Sequence, residues 1–445
     1  MSPMLPIGVA TMCNPASSGG LRGACPPVAW PSACTCSLTS SVLNLSAAVS
    51  RSFAPMMRRS LIALATSALL LGACGGSPKT STPASLTTTA PQAGSTTTAS
   101  GKARIALLLP LSGRAAPIGQ QMQQAAEMAL FDTGAKDLAL SAYDSGDSAD
   151  TAVEAYRKAR TDGAALVLGP LYGTSATALV PLVSQGGANV ISFSNDEQVA
   201  QRGVWIMGIA APPQVRRVVD RAIESGIRRF ATFAPQTSYG EQMARTLESH
   251  VAVRGGSVVG VEFFDANATD LATPARRLAE ETKGEGKLAI LVPVAPPRVS
   301  AVLAALTTAG IDGRAVQFIG TGVWDTPSIG NETMLRGAWY AAPDPARRAD
   351  FERKFASTYG RPPHRLATLA YDGVALAGHL ARLKPGGDFS ADAITSPSGW
   401  SGVDGIFRFF PDGRSERALA VIEIQGDRGV VVSPAPTSFA GRPTN

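Results

Sequence analysis

The residues of this chain whose types and spacing could do chemistry fall into four sets: paired cysteines, histidines, a glycine pair after a strand pattern, and hydroxyl-rich loops. Cys34-Thr35-Cys36 has the close spacing of a metal-binding pair, but a zinc site takes three or four ligands and no histidine lies near. His250, His364 and His379 are far apart, and His250 closes a helical pattern, where a cation is favoured; its reading is structural. Gly320-Thr321-Gly322 follows a strand pattern, yet Trp324-Asp325 stands where the third glycine of a dinucleotide fingerprint belongs. No nucleophile elbow, no H-E-x-x-H and no P-loop occurs, and the S-x-x-K and K-T-G set is not assembled. The residues therefore predict no catalytic group, no metal site and no cofactor.

What remains is a set of loops, each placed after a strand pattern: Leu111-Ser112-Gly113, the stretch GPLYGTS (169–175), SFSND (192–196), PQTSYG (235–240) and TGVWD (321–325). In open α/β sheets ligands bind outside the carboxyl ends of the strands. Small hydroxyls, backbone-exposing glycines and aromatic faces suit a small polar ligand. The candidate cleft residues are Ser112, Tyr172, Thr174, Ser175, Ser194, Asn195, Asp196, Tyr239, Trp324 and Asp325. Ser, Thr and Asp at such places are also ordinary helix caps, so each carries that second reading.

The elements that must position these loops alternate between strand and helix patterns. Arg104–Leu109 is a continuous apolar run, as a strand buried on both faces requires. Ile118, Met122, Ala125, Ala126 and Ala129 then recur at helical spacing, with Gln120, Gln121, Gln124 and Glu127 turned outward. The pattern restarts at Ala211-Pro212-Pro213 with the stripe Val215, Val218, Val219, Ala222 and Ile223. GIFRFF (405–410), ALAVIEI (418–424) and GVVV (429–432) read as antiparallel strands. The expectation is an α/β protein of two lobes, each a mainly parallel sheet flanked by helices, joined by multiple hinge crossovers. Its bounds are 103–210 for the first lobe, 211–320 for the second, 321–383 for a return to the first, and 384–445 for strands completing the second lobe and a tail.

RRSLIALATSALLLGACGGS (58–77) has the positive head, apolar core and small residues of an export signal. The apolar run is shorter than the ~20 residues a membrane span needs. Met56 and Met57 stand directly before it, so residues 1–55 read as a gene-model extension and 56–73 as the signal. Its end, Leu71-Gly72-Ala73-Cys74, resembles the bacterial lipoprotein box. That resemblance implies a cut before Cys74, lipid on its thiol, and a protein held on a membrane outside the cytoplasm. Cutting there removes four arginines and no acid, leaving 36 basic against 34 acidic residues, so no nucleic-acid partner follows from charge. No cysteine follows Cys74, and the folded part must rely on its core rather than on disulfides. Residues 74–102 are rich in Ser, Thr, Pro and Ala with almost no apolar bulk, a disordered tether by composition with a reach of roughly 30 Å.

IALLLPLSGRAAPIGQQMQQAAEMAL, LVLGPLYGTSATAL, FAPQTSYGEQMA and LATLAYDGVALAGHL resemble the type I periplasmic-binding-protein family, in its branched-chain-amino-acid-binding branch, over roughly 103–435. The resemblance implies two lobes joined by three crossovers and closing on a ligand. It also implies that Thr174 or Ser175 would meet a ligand carboxylate. Asp196 stands near the family's second carboxylate-holding position, and Gly322 where its ammonium-pairing acid belongs, both departures from amino-acid capture. VISFSND (190–196), the SYG loop and SGWSGVDGIFRFFPDGRSERALAVIEI (398–424) resemble lipoproteins known as penicillin-binding-protein activators. That resemblance implies a non-catalytic periplasmic regulator whose partner is a bifunctional penicillin-binding protein, a peptidoglycan synthase. Gly75 after Cys74 agrees with outer-membrane sorting as the rule stands in enteric bacteria. The alternative expectation is a solute-binding component of an importer for amino acids or another small polar ligand.

Overall fold

The computed structural model describes residues 101–267, 270–426 and 428–440. The 1–55 extension, the signal, Cys74 and the tether up to residue 100 lie outside the described residues.

The first lobe runs β1 (Ala103–Leu109), α1 (Ala116–Asp132), β2 (Leu138–Asp144), α2 (Ala149–Thr161), β3 (Leu166–Leu168), α3 (Gly173–Ser184), β4 (Asn189–Ser192) and β5 (Val204–Ile206). Its five strands pair parallel in the order β2-β1-β3-β4-β5. The apolar run in β1 follows from burial on both faces. Ile105, Leu107 and Leu109 enter one core cluster with Met122 and Ala126, while Ala106 and Leu108 enter another with Tyr156 and Leu179.

The second lobe follows with α4 (Ala211–Glu224), β6 (Arg229–Pro235), α5 (Ser238–Val253), β7 (Ser257–Phe264), α6 (Ala272–Glu281), β8 (Leu288–Leu291), α7 (Arg298–Thr308), β9 (Val316–Gly320) and β10 (Trp339–Ala342). The same alternation recurs. Leu288 and Ile290 face one core, Ala289 and Leu291 the other, and the α4 stripe from Val215 to Ile223 covers that second face.

The chain then returns with α8 (Pro345–Tyr359), α9 (Ala367–Ala381), the single turn α10 (Ala391–Ile394), β11 (Trp400–Gly402), β12 (Gly405–Phe409) and β13 (Ser415–Arg417). Helix α9 lies along α1, and Ile394, Phe407 and Phe409 join the first lobe's core. Last come β14 (Ala420–Gln425) and β15 (Arg428–Ser433), antiparallel strands that complete the second sheet in the order β15-β14-β10-β9-β8-β6-β7. The three crossings between lobes fall after β5, after β10 and after β13.

Two boundaries differ from the sequence expectation. The return to the first lobe begins after Ala342, not at 321, because β10 is hydrogen-bonded between β9 and β14. Residues 384–417 stay with the first lobe, because the short sheet β11-β12-β13 packs its phenylalanines on that core. Gln121 and Gln124, expected outward, are half-covered by the chain before α9: Gln121 accepts from the His364 amide and Gln124 from Arg361.

Candidate functional site

The carboxyl ends of the two parallel sheets supply the loops of the cleft. On the first lobe the turn after β3 needs Gly169: φ is +100°, and a side chain there would collide with the Leu108 carbonyl. That turn delivers Tyr172 to the start of α3, where its hydroxyl donates to Asp147 at 3.3 Å. Ser175 is buried and donates to the Ser148 carbonyl at 3.3 Å. After β4, Ser192 donates to the Pro170 carbonyl at 2.8 Å, and Ser194 accepts from the Asp196 amide at 3.1 Å. This stack holds Asn195 and Asp196 outward, with Asp196 accepting from the Gln198 amide at 3.0 Å. Ser112 and Thr174 are exposed, and the Ser112 amide donates to Asp144 at 3.2 Å. Burial works against the Asp144 charge, but hydrogen bonds from Ser112 and from the Gly146 and Leu111 amides hold its carboxyl below the usual range.

On the second lobe Thr237 caps α5 by accepting from the Gly240 amide, which sets Tyr239 over the end of β9. The Tyr239 hydroxyl and Thr321 Oγ1 are 2.8 Å apart, and burial raises the phenol's pKa. Gln214 spans the first crossing. Its amide nitrogen donates to the Ile209 and Ala210 carbonyls and its oxygen accepts from the Gly322 amide. Trp324 is not a cleft residue: it is fully buried in the second core and donates to the Val294 carbonyl at 2.9 Å. A large indole between two strand ends gains more from burial than from facing solvent.

Asp325 joins the lobes. It belongs to the second lobe, yet Arg348 of α8 reaches it at 3.3 Å and Arg365 at 3.4 Å. Arg365 also holds the buried Asp404, which accepts from Thr368 at 2.6 Å. Although burial opposes the Arg365 charge, Asp404 and Asp325 keep it protonated. Burial likewise opposes the Asp404 carboxylate, but Arg365 and Arg417 hold its pKa low.

Between the lobes lie two adjoining cavities of about 180 and 220 Å³. Both touch Asn195, Ala211 and Tyr239; the first adds Gln214, Thr321 and Arg365, the second Asp196 and Gln242. Of the ten sequence candidates, the cavity walls bring together Asn195, Asp196, Tyr239 and Asp325. Ser112, Tyr172, Thr174, Ser175, Ser194 and Trp324 do not line them. Sequence reasoning missed Gln214 and Arg365. A polar residue on the α4 apolar stripe, one helical turn before Val218, was a signal for Gln214; nothing local marks Arg365.

Larger recesses lie elsewhere. One of about 720 Å³ opens on the flank of the first lobe, between α9 and the 396–401 turn, around His379 and Trp400. Another of about 290 Å³ lies behind the hinge around Glu197, Arg216 and Arg414. Among the described residues no group of three or more His, Cys, Asp or Glu could hold a metal ion, and no helix is long and apolar enough to cross a membrane.

A family model described as "Periplasmic binding protein" matches residues 102–429. Protein RP748 of Rickettsia prowazekii (strain Madrid E) is 22% identical over 175 residues, 39% of this chain and 47% of that protein, so this chain matches about half of that relative's length. Among solved structures, the ABC transporter substrate-binding protein from Sphaerobacter thermophilus superposes with TM-score 0.62 at 18% identity, over 76% of this chain and 98% of that one. A branched chain amino acid ABC transporter periplasmic ligand-binding protein from Burkholderia xenovorans LB400 gives 0.63 at 16%, over 75% and 95%. An ABC transporter solute binding protein from R. palustris, in complex with benzoate, gives 0.55 at 17%, over 76% and 98%. At these identities the likeness is one of fold, and it is the two-lobed α/β fold expected from the sequence.

Proposed function

We propose, from the premise that this chain belongs to the periplasmic binding protein family, that it captures a small solute between its lobes for an importer or a sensor, without catalysis. The observation that carries this reading is the interlobe cavity, whose walls come from both lobes and from two of the chain crossings, at Ile209 and Ala211 and at Ala342 and Pro343. Closure about such crossings is a hinge motion. Of the structures named above, one is in complex with benzoate and another belongs to a branched chain amino acid transporter, so the fold does not by itself name the ligand, which is left to the residues of this cleft. The test is a solute panel scored by thermal shift. A ligand at about 100 times its Kd stabilises by about 2.7 kcal/mol, a few degrees in a protein of this size. Leucine, isoleucine and valine are expected to give no shift, because Asp196 faces the cleft and Gly322 brings no acid to it. A panel of amines, acids, sugars and neutral amides without one hit would sink the solute-capture reading.

A second reading is favoured by one observation: the cleft's polar groups largely satisfy one another, as Gln214 does with Gly322, Tyr239 with Thr321, and Asp325 with two arginines. On this reading the protein is a regulator that presents a surface to a bifunctional peptidoglycan synthase. Lipid on Cys74 and the tether would hold it at the outer membrane, facing synthases anchored opposite; a tether raises local concentration, so a weak interface suffices. In-cell cross-linking followed by identification of the captured protein separates the readings. Capture of a synthase, with stimulation of it by purified protein, supports the regulator; capture of a transporter's membrane subunits supports the importer.

A further inference from the structure

The charges on the cleft walls do not balance. Three side chains lining the joined cavities carry charge: Asp196, Asp325 and Arg365. Asp325 is spent on Arg348 and Arg365, and Arg365 is shared between Asp325 and Asp404. Asp196 has a hydrogen bond from the Gln198 amide and, among the described residues, no ion-pair partner. It lies against the amino end of α3, where a β-carbon placed on Gly173 would come within 3.3 Å of Asp196 Oδ2. A helix amino end attracts an anion. Here the chain supplies that anion itself, and a second carboxylate brought by a ligand would meet an occupied position and a like charge.

The surroundings of Asp196 suit a cation. The cavity it lines is otherwise walled by the neutral oxygen-bearing side chains of Asn195, Gln198, Ser238 and Gln242, by Ala211 and by Tyr239, an aromatic residue of the kind that attracts cations. An alkylammonium has three donors and no acceptor. The adjoining cavity presents Ile209, Val323, Ala342 and Pro343, an apolar wall for an aliphatic tail.

We infer that the ligand of this cleft is a small aliphatic amine without a free carboxylate, its ammonium paired with Asp196 and its tail lying toward Ile209 and Val323. This rests on the solute-capture reading and names the ligand class. Asp196 is the specificity-determining residue: it selects for the ammonium and against the acid.

The test uses the full chain in mild detergent and three related probes, leucine, 3-methylbutylamine (leucine without its carboxylate) and 4-methylpentanoate (leucine without its amine), extended by linear mono- and diamines of three to six carbons. Melting is followed by tryptophan fluorescence and affinity by calorimetry. At least one amine is expected to raise the melting point by a few degrees, with no shift from leucine or the acid. Asp196→Asn keeps a side-chain oxygen for the Gln198 amide, so its unliganded melting point and circular dichroism should match the parent. Its amine affinity should fall at least tenfold. A shift with the acid or with leucine, or amine binding undiminished in Asp196→Asn, overturns the inference and leaves solute capture standing. Silence of the whole amine series also overturns it, and the wider solute panel then decides whether solute capture falls as well.

Discussion

Arg365 ties the two lobes together through an ion pair to a carboxylate on each. Its guanidinium serves Asp325 on one lobe and the buried Asp404 on the other, a fork that a point charge cannot reproduce. Removing one partner of a buried pair leaves the other uncompensated, at a cost of about 3–5 kcal/mol. Arg365→Ala should lose that much in urea unfolding, and Arg365→Lys should recover only part of it. A loss under 1 kcal/mol would show that water already satisfies Asp404. Asp372 gives a pH signature. Burial raises its pKa to about 7; Arg417, 3.7 Å away, opposes the shift, and the nearby Asp404 adds to it. The folded state therefore holds this proton more tightly than the unfolded chain, whose ordinary value is 3.8. The Asp372 contribution is fully present below 3.8 and is lost as pH rises toward 7. Asp404, held low, acts in the opposite sense, and its contribution is lost only as pH falls below the ordinary carboxylate range. In Asp372→Asn the decline of stability between pH 4 and 7 should flatten. An unchanged slope would mean that Asp372 is ionised across that range.

At the scale of elements, the short sheet β11-β12-β13 does more than decorate the surface. Phe407 and Phe409 are buried in the first core and meet edge to face at 5.7 Å, while Trp205 of β5 donates to the Phe410 carbonyl. The last strand of the first sheet is thus covered by chain more than two hundred residues later. Phe409→Ala should cost about 3–5 kcal/mol, since the cavity it leaves is lined by strands that cannot easily collapse. A cost near 1 kcal/mol would indicate that the small sheet moves inward. Helix α9 shows the same dependence. Its landmark run ATLAYDGVALAGHLA is buried on most sides because it lies between α1 and the 396–407 segment.

For the whole molecule, the absence of cysteine after Cys74 means that the folded unit owes nothing to disulfides. Strong reductant should leave its melting temperature unchanged, and a drop of several degrees would contradict that accounting. The two lobes are instead held by burial within each and by the Arg365 clasp between them, with Gln214 tying the first crossing to the second lobe. The lobes are therefore bridged in this structure by the protein's own polar groups. A ligand must add to contacts the protein already makes, and Asp196, which has no ion-pair partner among the described residues, is where it can do so.

The sequence by itself determined the elements and the class of fold. The run at 104–109, the α4 stripe and the alternation of strand and helix each express burial that is local in period. With them came the loops at the strand ends, four of whose candidate residues, Asn195, Asp196, Tyr239 and Asp325, line the interlobe cavities. Only the tertiary structure decided which surface each element meets. Trp339–Ala342 reads as a strand anywhere, but its place between β9 and β14, residues far apart in the chain, moves the lobe boundary from 321 to 343. Trp324 and Asp325 are neighbours in sequence, yet one fills the core and the other faces two arginines. Periodicity records that a side chain is buried; it does not record against what, and Arg365 finds Asp325 and Asp404 only because three separate stretches of chain converge at the hinge.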